Sequence, residues 1–176
     1  MTKKGLKEIG RELVRRADID QVMRKEWADS GFKPARYDKA VDVRNTKYLK
    51  DVVSKYGWPY AKDFGRGAPK SAWLIAQHAS SDRKFQWAVL RMLRKVPDSG
   101  VSLKLMATME DKLRVSEGRK QKYGTQFHID LKTQVLIVPP IVNKKALEKL
   151  RAQMHLRPFD VQLKRVQRSV SKMRTK

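Results

Sequence analysis

The chain has no cysteine, and its acids are scarce: 18 Asp and Glu stand against 41 Lys and Arg. Without thiols, neither disulfides nor thiolate-bound metals can form, and a reducing, cytoplasmic setting is expected. No apolar run approaches the ~20 residues of a membrane-spanning helix, and no apolar signal-peptide core follows the charged N-terminus. His78, His128 and His155 lack the close helical spacing of a zinc motif, so no metal site is expected. The glycine-containing basic loop at 60–69 lacks Walker spacing and reads as a connector; no cofactor is expected. Signatures of RNA-recognition, KH and zinc-finger modules are also missing.

What is present in excess is positive charge, a formal net of +23 over 176 residues. Such an excess repels itself in a compact state, and a polyanion relieves it. Nucleic acid is the commonest polyanion, so a phosphate-contacting protein is expected, bound to RNA or to a ribosome-like ribonucleoprotein. A membrane surface fits less well, because no helix joins strong amphipathicity to bulky aromatic anchors.

With 40% hydrophobic residues the chain can bury a core, and its periodicity is mostly helical. Leu6, Ile9, Leu13, Ala17, Asp20, Arg24 and Trp27 share one face of a helix over 3–29. Asp20 and Arg24 are an oppositely charged i,i+4 pair inside that apolar stripe, either a register-fixing ion pair or the wall of a site. A second helix over 42–56 stops at Gly57, and Trp58-Pro59 makes a rigid corner in which Trp58 plugs the helix end. Further helices are expected over 70–79, around Phe85–Val96, from the Ser102 cap to Glu117, after Asn143, and through Leu163, Val166, Val170 and Met173.

Between Glu117 and Ile141 the period changes to two. Tyr123, Thr125, Phe127 and Ile129 alternate with Gly124, Gln126 and His128; 130–133 can turn, and 134–138 returns as an apolar strand. The expected fold is therefore mainly α, about six to seven helices with one β-hairpin near 123–138. A helical domain over 1–158 would carry a basic C-terminal helix or tail over 159–176.

Several fragments recur in a telling order: Asp20-Gln21 with Arg24, Asn45 before Leu49, Gly57-Trp58-Pro59, Ala72-Trp73-Leu74, Gln77-His78-Ala79, and Glu117-Gly118 with Gln121, Tyr123, Gly124, Thr125 and Gln126. Together, over residues 10–155, they resemble a family of bacterial domains of unknown function. The resemblance implies a compact, mostly helical domain and no established reaction. The chain departs from the pattern at Ser80, where an acid is expected, at Lys112, where arginine is expected, and in its basicity and its cationic extension past Phe159. These departures favour a binder.

Two sets of functional residues follow. For nucleic-acid contact they are the flank Arg83, Lys84, Arg91, Arg94 and Lys95, the link Arg119, Lys120 and Lys122, and the tail Lys164, Arg165, Arg168, Lys172, Arg174 and Lys176. For an alternative small hydrolase or transferase they are Asp20, Arg24, Gln77, His78, Glu117, Gln121, Tyr123 and Gln126. There His78 is the general base, Asp20 or Glu117 orients it, Arg24 holds an anionic oxygen, and the glutamines bind an amide or phosphate. The plainer role for the same residues is a hydrogen-bond network tying the hairpin to the helices. A third possibility is a protein-binding scaffold using the apolar stripe of the last helix.

Overall fold

The computed structural model describes residues 2–95, 98–130, 133, 135–174, with the side chains of 172–174 excepted. The expectations for Val96, Pro97, Gln134 and the side chains of Lys172, Met173, Arg174 and Lys176 lie outside the described residues.

Among the described residues the chain is mainly α, with eight α-helices and one two-stranded antiparallel hairpin. It divides into two compact units, residues 1–101 and 102–176.

The first unit is built on α1 (Lys3–Asp29), which packs against α2 (Lys39–Tyr56), α3 (Ala61–Phe64) and α4 (Ala68–His78). The stripe read from sequence is the face that α1 buries, with Leu13, Ala17 and Asp20 at the centre. Gly10 sits mid-helix because a Cβ there would lie 1.7 Å from the Phe64 carbonyl oxygen. The small side chain lets the end of α3 touch the backbone of α1. α2 begins at Lys39, three residues before the expected start, because Asp38 caps it by accepting from the Ala40 N–H at 2.8 Å. Trp58 is buried behind the end of α2, and its indole N–H donates to the Ser99 carbonyl at 2.8 Å. The stretch expected to be only a connector holds α3, a single turn that periodicity cannot register. Pro69 stands in the first turn of α4, where its missing N–H costs nothing. α5 (Arg83–Lys95) buries Gln86, Val89, Leu90 and Leu93.

The second unit contains α6 (Leu103–Ser116), capped by Ser102 as expected, then β1 (His128–Ile129), β2 (Leu136–Ile137), α7 (Leu147–Gln153) and α8 (Phe159–Arg174). The hairpin pairs His128 with Ile137 and Ile129 with Leu136. The alternation from Tyr123 does not make a strand. Gly124 has φ of 63°, which breaks an extended run, and a Cβ there would lie 2.8 Å from the Phe159 ring. The neighbouring N–H groups are spent on side chains, so no ladder is left to form. α8 is part of this unit: Phe159 stacks on Phe127 at 6.2 Å between ring centres, and its N–H donates to Glu148 Oε1 at 2.9 Å. No helix among the described residues is long and apolar enough to cross a membrane.

Candidate functional site

The eight polar residues singled out from the sequence divide evenly between the units. Asp20, Arg24, Gln77 and His78 belong to the first; Glu117, Gln121, Tyr123 and Gln126 belong to the second.

In the first unit the i,i+4 spacing on α1 puts the Asp20 and Arg24 side chains side by side, facing the C-terminal end of α4. Asp20 is 1% exposed, a burial that an ionised carboxylate tolerates only with partners. It has three: Arg24 Nε donates to Oδ1 at 3.0 Å, Gln21 Nε2 donates to Oδ2 at 2.9 Å, and His78 Nδ1 lies 2.7 Å from Oδ2. Burial alone would raise the Asp20 pKa, but the hydrogen bonds from His78 and Gln21 and the charge of Arg24 hold it below the ordinary carboxylate value.

Arg24 Nε is also 3.0 Å from His78 Nδ1. One ring nitrogen cannot accept from Arg24 and donate to Asp20 at once. The shorter contact, to a buried carboxylate, sets Nδ1 as the protonated nitrogen; the Arg24 Nε proton goes to Asp20 Oδ1. In the neutral ring the lone pair is therefore on Nε2, which has no hydrogen-bond partner among the described residues.

A second layer fixes Arg24. Its Nη2 donates to Asp42 Oδ1 at 2.6 Å, and the Tyr37 hydroxyl donates to Asp42 Oδ2. Asp20 and Asp42 together raise the Arg24 pKa against the lowering effect of burial. Burial and the bond to Asp42 raise that of the Tyr37 phenol. Tyr37 is itself held at 4.9 Å from Trp27, and its ring lies 5.4 Å from the Arg24 guanidinium. The cluster thus runs His78–Asp20–Arg24–Asp42–Tyr37, drawing on α4, α1, α2 and the turn between α1 and α2.

His78 lines a groove of about 300 Å³ between α2 and the α4–α5 corner, with Asp42, Lys47, Lys50, Asp51 and Asp82 also on its walls. Lys50 Nζ donates to Asp82 Oδ2 at 2.8 Å, and Asp82 Oδ1 accepts from the Phe85 N–H at 2.9 Å at the start of α5.

The second unit uses its polar residues differently. Asp111, fully buried on α6, accepts from the N–H groups of Lys122, Tyr123 and Thr125 and from the Thr125 hydroxyl, at 2.6 to 3.1 Å. Gln121, also fully buried, donates to the Pro139 carbonyl at 2.8 Å, while its Oε1 accepts from the Gln126 N–H at 2.9 Å. Gln126 donates to the Thr108 carbonyl at 3.2 Å. The Arg151 guanidinium, 1% exposed, donates to the carbonyls of Tyr123, Gly124 and Arg157. Glu117 pairs with Arg119 at 3.2 Å. In this knot the hydrogen bonds of Gln121 and Gln126 and the backbone of Tyr123 hold loop to helix, which is the plainer of the two roles expected of them.

Four residues escaped the sequence reading: Tyr37, Asp42, Asp111 and Arg151. Asp42 served only as a helix start, though its three-residue spacing to Asn45 put two polar side chains on the buried face of α2. Asp111 follows Glu110 among the apolar residues of α6, and both acids are buried.

Of the cationic residues, those on α5 and Lys164, Arg165 and Arg168 on α8 are exposed. Arg119 is engaged by Glu117, and the Lys122 ammonium lies 5.1 Å from the centre of the Tyr123 ring.

The model of a family of unknown function, DUF6624, matches residues 7–172, and the chain belongs to that family. Comparison with curated proteins and with solved structures gives no match.

Proposed function

We propose, for this member of a family with no assigned reaction, that it binds nucleic acid through the phosphate backbone. RNA, free or within a ribonucleoprotein of the cytoplasm, is the expected form. The observation that carries the reading is α5. Its sequence holds five cations and no acid, and Arg83, Lys84, Arg91, Arg94 and Lys95 are all exposed opposite the buried Val89, Leu90 and Leu93. Lys84, Arg91 and Lys95 recur at one helical stripe, and the half-buried Trp87 falls on the same stripe. A row of point charges beside an indole suits a strand whose phosphates are neutralised and whose bases stack. The exposed cations of α8 extend the same chemistry in the second unit.

The test is binding of labelled single-stranded and duplex RNA and DNA, followed by anisotropy from about 50 to 200 mM salt. Log affinity is expected to fall linearly with log salt, with a slope of about 0.9 per phosphate contact on duplex DNA and about 0.7 on single strands. The triple variant Lys84→Glu, Arg91→Glu, Lys95→Glu is expected to lower both affinity and slope. A slope near zero, or a triple variant that binds like the parent, rejects the reading.

A second reading is favoured by a separate observation. The Asp20–His78 pair, with a free Nε2 on the wall of a groove, has the geometry of a small hydrolase or transferase. The scaffold reading has less to stand on, since Val170 of the α8 stripe is buried and Leu163 and Val166 are half-buried.

A further inference from the structure

We propose that the groove beside His78 is a hydrolytic site for an uncharged carboxylic ester, with His78 as the general base that activates water. This rests on the second reading above and names its substrate class. Three observations lead there.

The base is already prepared. Asp20 favours the Nδ1–H tautomer at 2.7 Å, so the lone pair of the neutral ring is on Nε2. That nitrogen has no protein partner among the described residues, and the His78 side chain is 13% exposed, enough to meet solvent from the groove wall. Arg24, the other group on Nδ1, is held by Asp20 and Asp42. In a buried network of this kind the ring cannot turn without leaving a carboxylate short of a partner.

The groove is the wrong place for a phosphate. In a chain of net charge +23, it gathers Asp42, Asp51 and Asp82 against Lys47 and Lys50. Asp42 is matched by Arg24, and Asp82 by Lys50. Lys47 and Asp51 are one turn apart on α2, with no ion pair between them among the described residues. The wall's three carboxylates outnumber its two lysines, which disfavours a dianion there.

The rest of the wall is apolar or hydroxylic. Val43, 57% exposed, and Ala79 give it hydrocarbon; Thr46, Ser80 and Ser81 offer hydroxyls. A space of about 300 Å³ fits a small molecule with an apolar part and a carbonyl.

The step balances without a cofactor. Water gives a proton to His78 Nε2 as its oxygen bonds to the acyl carbon. The tetrahedral intermediate then loses the C–O bond to the alcohol, which leaves with the proton returned by His78. Ester and water become acid and alcohol, with no redox change. Asp20 touches no reacting atom and acts as a positioning residue.

The probes are p-nitrophenyl butyrate and p-nitrophenyl phosphate, each with the full chain and with His78→Ala, whose folding is checked by circular dichroism. Saturable hydrolysis of the butyrate ester that falls about 100-fold in His78→Ala, with no His78-dependent release from the phosphate, is the expected result. His78-dependent release from the phosphate ester, alone or beside the butyrate, overturns the substrate class and leaves the acid–base reading standing. No His78-dependent turnover of either probe overturns both. For Asp20, ¹⁵N shifts of the His78 ring give a readout that mere destabilisation does not move. Asp20→Asn is expected to shift the ring away from the Nδ1–H form and to lower kcat more than it raises KM; an unchanged tautomer removes Asp20 from its role.

Discussion

Asp20 concentrates the residue-scale physics. It is buried, ionised and held by a histidine, a glutamine and an arginine, so the folded state lowers its pKa relative to the unfolded chain. The unfolded carboxylate takes up its proton at about pH 3.9. Its stabilising contribution is therefore complete above that value and is lost as pH falls through the lower, folded-state value. Thermal melts between pH 6 and pH 2 are expected to show Tm falling in acid. Asp20→Asn is expected to be less stable than the parent near neutrality and to lose less on acidification, so that the two curves converge. Parallel curves would show that Asp20 carries no linked proton. The same residue shows how much of the site could be read without coordinates. A charged pair on an apolar stripe exposes itself by spacing alone, and Asp20, Arg24 and His78 do meet in space. Asp42 and Tyr37 complete the cluster from 18 and 13 residues beyond Arg24, and nothing in local periodicity reports a contact made at that range.

At the scale of elements, close approach decides what a residue must be. α1 admits the Phe64 carbonyl only because Gly10 has no side chain. In an exposed helix Gly→Ala stabilises by about 1 kcal/mol. Here Gly10→Ala is expected to destabilise instead, by about 3 kcal/mol in urea titration, because the added methyl meets backbone that cannot swing aside. A stabilised or neutral Gly10→Ala would mean that α3 moves off α1 freely. The hairpin teaches the complementary lesson. An alternating pattern from Tyr123 to Ile129 satisfies the side-chain period of a strand, yet a strand also needs its N–H groups. Those of Lys122, Tyr123 and Thr125 go to the Asp111 carboxylate and that of Gln126 goes to Gln121, and the ladder is confined to His128 and Ile129. Long helices were legible because one face repeats over several turns; the four-residue α3 and the loop anchored by Asp111 were not, since tertiary contacts alone create them.

For the whole molecule, the overriding influence is a net charge of +23 carried by 176 residues. Like charges repel more in the folded state than in the expanded one, and salt screens that repulsion. Tm is therefore expected to rise as sodium chloride goes from about 10 to 150 mM, the reverse of a protein held together by surface ion pairs. Inorganic polyphosphate is expected to produce a larger rise at equal ionic strength, since it adds binding to screening. A Tm that falls or stays level with salt would mean that local ion pairs outweigh the global field. Such a field reaches far beyond the surface, whereas the groove beside His78 sets three carboxylates against two lysines. Attraction and admission thus answer to different rules. A polyanion drawn along α5 has no seat at the imidazole, and a small guest there leaves the cationic stripe untouched. The two should load independently, so that saturating one with its ligand changes the maximum occupancy of the other not at all.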